Sequence, residues 1–111
     1  MALKKADVLR GTLDLLLLRT LELEPMHGYG IAQRLEQMTG GAFDVSPGSF
    51  FPALYKLEQK GWVRGEWGTS ENGRRARFYH LTKSGRRQLS REIGKWESVL
   101  LAIQKVLGAT S

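Results

Sequence analysis

From Ser46 the chain reads S-P-G-S-F-F-P-A-L-Y-K-L-E-Q-K-G-W-V-R and, six residues later, E-N-G-R-R-A-R-F-Y-H-L, ending at Leu81. The first part carries a helix-start signal. Ser46 as N-cap puts Pro47 at the first helical position, where a missing N–H costs nothing. Leu54, Leu57 and Glu58 continue the pattern to Lys60, and Gly61 supplies the stop. A start at Ser49 would keep Pro52 out of the second turn, where it removes a backbone hydrogen bond; the Ser46 start is preferred, with some irregularity at Pro52. The second part reads as two strands, Trp62–Trp67 and Arg75–Leu81, around the turn Gly68–Gly73, with Asn72-Gly73 its strongest signal. A short helix running straight into an arginine-crowded hairpin is the order of parts of a winged helix-turn-helix.

Three more helices flank this segment. The first is predicted over Asp7–Leu23 and ends at Glu24-Pro25, because a residue before proline avoids the helical region. Leu9, Leu13, Leu16 and Leu17 mark one face, while Leu15, Leu18 and Leu21 widen it. An apolar surface on several sides is buried on several sides, and in so small a chain that points to a partner subunit. The second is predicted over Gly28–Met38, with Ile31, Leu35 and Met38 inward, Gln33, Arg34, Glu36 and Gln37 outward, and Gly40-Gly41 as its end. The last runs from Lys83 to about Leu107, capped by Thr82. Along it Leu89, Ile93, Trp96, Leu100, Ile103 and Leu107 are spaced 4, 3, 4, 3, 4, a heptad seam of the kind that pairs helices. Val99, Leu101, Ala102 and Val106 broaden that face, and the helix is expected to build a homodimer interface while also packing on the first helix.

The fold expected is therefore mainly α with a small β-hairpin. Residues 1–82 form a winged helix-turn-helix with an N-terminal helix, and residues 83–111 a long dimerisation helix of the same compact domain. At 111 residues this is a single domain.

The net charge of +6 is localised. Residues 72–91 hold seven basic side chains (Arg74, Arg75, Arg77, Lys83, Arg86, Arg87, Arg91) and no acid, whereas the rest of the chain sets ten basic groups against eleven acidic ones. A solvated surface mixes signs; a single-sign patch suits a polyanion. The candidate DNA-binding residues are Ser46, Gly48, Ser49, Phe51 and Pro52 at the start of the third helix, Tyr55 and Lys56 one turn on, and Arg74, Arg75 and Arg77 in the wing. In this motif the first turn of the second helix meets the major groove. Serine hydroxyls and free helix-start N–H groups bind phosphate, and Phe or Pro can touch a thymine methyl. No Arg, Asn or Gln in that turn makes a bidentate base contact, so part of the specificity is expected from DNA shape.

Catalysis is excluded by what is missing. There is no cysteine, hence no disulfide, thiolate nucleophile or cysteine-ligated zinc. His27 and His80 are 53 positions apart with no ligand-spaced partner; no metal and no cofactor are expected, and His27 is read as a hydrogen-bonding residue in the turn before the second helix. Gly28-Tyr29-Gly30 lacks the third glycine and preceding strand of a dinucleotide loop. Asp7 and Asp14 are read as partners of basic neighbours, not as an acid–base pair. Leu15–Leu18 is the longest uninterrupted leucine run, far short of the roughly 20 apolar residues that span a bilayer, and no cleavage pattern follows an apolar run. A cytoplasmic location is expected.

The segments His27–Leu35 (H-G-Y-G-I-A-Q-R-L), Ser46–Val63 and Gly73–Gly85 (G-R-R-A-R-F-Y-H-L-T-K-S-G) together resemble the PadR-type transcriptional regulators, in the short subclass with one C-terminal helix. About 40 residues carry the resemblance in the expected order, and S-P-G-[ST]-x-x-P-A-L is its most specific part. The resemblance implies a bacterial homodimeric repressor on a palindromic operator in double-stranded DNA, released by a small planar hydrophobic effector. Trp96, at a seam position, is the candidate effector contact: paired indoles at a dimer axis would accept a flat aromatic molecule. Phe51 stands where the family usually has Tyr, removing one hydroxyl, and Gly30 where it often has an acid. The alternative is a winged-helix protein-association module without direct DNA binding.

Overall fold

The computed structural model describes residues 10–41 and 47–108. Seven elements follow in order: α1 (Arg10–Leu23), β1 (Met26–His27), α2 (Gly28–Thr39), α3 (Pro47–Gln59), β2 (Val63–Thr69), β3 (Arg75–Leu81) and α4 (Lys83–Leu107). The strands form one antiparallel sheet in the order β1-β3-β2.

Local chemistry sets most boundaries. The His27 Nδ1 accepts the Gly30 N–H at 3.1 Å and so caps α2. The helix ends where Gly40 turns left-handed at φ 61°; the Gly41 N–H reaches the Glu36 carbonyl at 2.9 Å and the Gly40 N–H that of Gln37 at 3.4 Å. The end of α3 repeats this pattern at Gly61 (φ 77°), with Trp62 N–H to Leu57 O and Gly61 N–H to Glu58 O, both 3.0 Å. These paired bonds are the Schellman closure. Thr82 caps α4 by accepting the Gly85 N–H at 3.0 Å.

The core joins all four helices and the sheet. Leu17, Leu18 and Leu21 of α1 meet Ile31 and Leu35 of α2, Phe50, Leu54 and Leu57 of α3, Val63 of β2 and Leu89 of α4, all buried. Thr20 is buried among them, its hydroxyl donating to the Leu16 carbonyl at 2.8 Å. Gly85 sits so close under the Trp62 carbonyl that a Cβ there would overlap the oxygen. The Thr82 and Ser84 hydroxyls both donate to the Gly61 carbonyl, at 2.7 and 3.0 Å. The start of α4 is thereby fastened to the end of α3.

Several expectations are corrected. The hairpin gains a third strand, β1, which pairs Met26 with Tyr79 and His27 with Phe78. Strand β2 starts one residue later than expected and runs on to Thr69, since Trp62 is used in closing α3. The turn is shorter than the expected Gly68–Gly73 span and keeps Asn72-Gly73 at its end. Among the described residues only glycines have positive φ, and here that is Gly73 at 75°. Ser70 N–H bonds the Arg74 carbonyl at 2.8 Å and Gly73 N–H the Ser70 carbonyl at 2.9 Å, closing a three-residue loop with left-handed glycine last. Met38, expected inward, is 54% exposed, because α2 turns its last apolar position past the edge of the core. Leu89, expected in a dimer seam, is 0% exposed inside the chain's own core, and Ile93 packs against that core too. Helix α3 begins at Pro47 with Pro52 inside it, as the Ser46 start requires; Ser46 itself, and the start of α1 at Asp7 with Leu9, lie outside the described residues.

Candidate nucleic-acid interface

Helix α3 turns two faces in different directions. Phe50, Leu54 and Leu57 point to the core, while Gly48, Phe51, Pro52, Tyr55 and Lys56 are exposed along the other side. Pro52 has no N–H to give the Gly48 carbonyl, so the first turns of α3 offer an acceptor as well as helix-start donors. Phe51 packs on Phe50 with ring centroids 4.4 Å apart, and its edge lies against Gly28, where a Cβ would come within 2.9 Å. The small residue at the start of α2 therefore lets α3 seat against it.

The wing faces the same cleft. Residues directly opposite in the β2–β3 ladder share a face of the sheet, which groups Thr69 with Arg75, Trp67 with Arg77, and Gly65 with Tyr79. The guanidinium of Arg75 lies over the Trp67 ring at 4.6 Å. Arg77 pairs with Glu58 of α3 and lies 5.9 Å from the Tyr79 ring. The opposite face is quieter: Glu66 has His80 at 3.5 Å and Arg64 at 3.8 Å, and Phe78 meets His27 edge-on at 5.4 Å.

Between wing and helices lies an open groove of about 670 Å³, lined on one side by Tyr29, Gln33 and Phe51 and on the other by Trp67, Arg74, Arg75 and Arg77. A second, of about 440 Å³, runs between Tyr55, Glu58, Gln59, Arg77 and Tyr79. Arg77 and Tyr79 line both.

The charges have few partners at home. Of the seven basic residues between 72 and 91, only Arg77 makes an ion pair among the described residues. Arg74, Arg75, Lys83, Arg86, Arg87 and Arg91 are exposed and make no ion pair among the described residues, Arg91 donating instead to the Gln88 side chain. By contrast, three arginines outside that span are paired, Arg19 with Glu22, Arg34 with Glu24 and Arg64 with Glu66. Among the described residues no set of His, Asp or Glu gathers as metal ligands, and no helix is long and apolar enough to cross a membrane.

Of the expected residues, Phe51, Arg74, Arg75 and Arg77 line the first groove and Tyr55 the second, while Gly48, Pro52 and Lys56 are exposed on α3 outside both; Ser46 lies outside the described residues, and Arg77 is set apart by its pairing. The structure adds Trp67, Tyr29, Gly65 and Glu58, which single-residue reasoning passed over. Strand register was the available signal for Trp67 and Gly65, since pairing Arg75 with Thr69 places both on the arginine face.

Farther along α4, Trp96 is half-buried and its indole N–H is enclosed without a hydrogen-bond partner. Beyond it Val99, Leu100, Leu101, Ile103, Val106 and Leu107 are 39–76% exposed. The seam residues Leu100, Ile103 and Leu107 therefore remain available on the surface, unlike Leu89.

The chain is similar to solved structures of regulators over almost its whole length. It matches a PadR-like transcriptional regulator from Bacillus cereus with a TM-score of 0.82 and 25% identity, covering 93% of this chain and 98% of that one. A transcriptional regulator from Clostridium thermocellum matches with a TM-score of 0.80 and 25% identity, over 90% and 97% of the two chains. In sequence, an uncharacterised protein of Lysinibacillus sphaericus is 26% identical over 95 residues, 86% of this chain and 87% of that protein. Residues 17–91, from the core of α1 through the wing into α4, match the transcriptional regulator PadR-like family, and the chain belongs to it.

Proposed function

We propose that this regulator acts by binding double-stranded DNA as a homodimer. Each protomer lays the exposed side of α3 in a major groove, and its wing, through Arg74 and Arg75, along the adjoining backbone or minor groove. The observation that carries this reading is the set of six unpaired cationic residues from Arg74 to Arg91, beside a helix whose exposed side is small, apolar and hydroxyl-bearing. Six charges of one sign without an ion-pair partner among the described residues suit a polyanion. Gly48, Ser49, Phe51, Pro52, Tyr55 and Lys56 are the groove-facing candidates.

Dimerisation is supported by the apolar surface of α4 from Leu100 to Leu107, which nothing among the described residues covers. Two protomers related by a two-fold axis read a palindrome, with half-sites about one helical turn, 34–36 Å, apart. Repression lifted by a small planar hydrophobic effector is the finer reading. Trp96 supports it, because a half-buried indole with an unanswered N–H beside an apolar face is suited to a flat molecule carrying an acceptor.

Electrophoretic mobility shift with random duplex DNA at low salt tests the central claim. Retardation is expected. Its absence would leave the protein-association alternative, in which the basic face meets an acidic partner.

A further inference from the structure

We infer that Glu58 and Arg77 are positioning residues, a strut that fixes the wing against the recognition helix, and that Arg77 is not itself a DNA contact. The inference rests on the proposed DNA binding for its consequence, but the strut is seen in the fold itself. Glu58 belongs to α3 and Arg77 to β3, 19 positions apart, and their side chains pair at the junction of the two grooves.

Three features hold the arginine there. Gly65, across the ladder, leaves room for it: a Cβ at that position would collide with the guanidinium. The Tyr79 ring lies 5.9 Å away on the same face. Trp67 is its direct cross-strand neighbour and carries Arg75 at 4.6 Å. Fixing Arg77 to α3 therefore also fixes the platform on which Arg75 is displayed. The charge count points the same way. An arginine meant for phosphate gains nothing from a carboxylate beside it, and the neighbouring basic residues have none.

Affinity for a random duplex of about three helical turns, roughly 30 base pairs, measured across salt concentrations, decides the matter. Glu58→Gln, Arg77→Gln and Gly65→Ala should each weaken binding about two- to fivefold, the range of a partly exposed ion pair. The Glu58→Gln/Arg77→Gln double variant should bind no more weakly than either single one, and all should keep the wild-type salt slope. Arg75→Ala, in contrast, should flatten the slope by about 0.9 per subunit. Tighter binding and a steeper slope in Glu58→Gln, or a flatter slope in Arg77→Gln, would overturn the inference, since Glu58 would then be muting a phosphate contact. A wild-type protein that does not retard DNA would remove the DNA-binding reading instead. The strut is then decided by amide hydrogen exchange, which should quicken in β2 and β3 of Glu58→Gln while α1 and α2 stay protected. Unchanged wing protection would remove the strut.

Discussion

Single residues in this chain are constrained by contacts a few ångströms long. Gly85 is the sharpest case. It is close-packed under the Trp62 carbonyl, a backbone atom that cannot swing away. Gly85→Ala should cost about 2 kcal/mol or more, as overpacking of a tight site does, measured by urea denaturation. Gly65→Ala meets only a flexible guanidinium and should leave stability nearly unchanged. Asp14 makes a different case. Burial raises its carboxyl pKa above the ordinary 3.8, with Glu92 pushing it further up and Lys60 and Lys56 pulling it back. The folded chain thus keeps this proton to higher pH than the unfolded one. Stability from this group falls as pH rises from 3.8 through the raised folded value, and the loss is complete above it. Asp14→Asn should melt higher than wild type at neutral pH, with the difference disappearing below pH 3.8. Equal melting temperatures at pH 7 would mean that the lysines offset the burial.

Elements are legible in the sequence where one residue decides them. Thr82, Gly61 and Gly40 act through bonds to their own neighbours, so α2, α3 and α4 start or stop within about one residue of where caps and stops place them. What escaped was decided across the chain. Strand β1 is two residues long, too short for any periodicity, and exists because β3 passes beside it. The pairing of Arg77 with Glu58 spans 19 positions and follows from strand register, which no local turn signal specifies. The seam of α4 was visible as a heptad, but not where it changes owner. Up to Ile93 the helix serves its own core, and past Trp96 no described residue buries its apolar side chains. That division is testable. Leu89→Ala should destabilise the fold by about 2–5 kcal/mol, as buried leucine truncations do. Ile103→Lys should leave each protomer folded and turn the proposed dimer into monomers in sedimentation experiments. A dimer undisturbed by Ile103→Lys would move the interface elsewhere.

At the scale of the molecule, the proposed DNA binding would rest on charge arrangement more than on base-reading side chains. A dimer neutralising six to eight phosphates should show a slope of log K against log salt of about −5 to −7. Arg74→Ala with Arg75→Ala should weaken binding to all sequences and flatten that slope; an unchanged slope would take the wing off the DNA. Effector capture is expected to quench tryptophan fluorescence on titration with planar aromatic compounds. A Trp96→Phe control is essential, because Trp62 and Trp67 also emit, and quenching of equal size in the control would place the ligand away from Trp96.

The two hydrogen bonds that the Thr82 and Ser84 hydroxyls donate to the Gly61 carbonyl give the fold a mechanical character. The 25 residues of α4 make a rod of about 37 Å, so a tilt of about 5° at that joint moves its free end by about 3 Å. The relation also runs backwards. A ligand that displaced the distant apolar tip by about 3 Å would therefore load this joint, and with it the end of α3, by a tilt of about 5°.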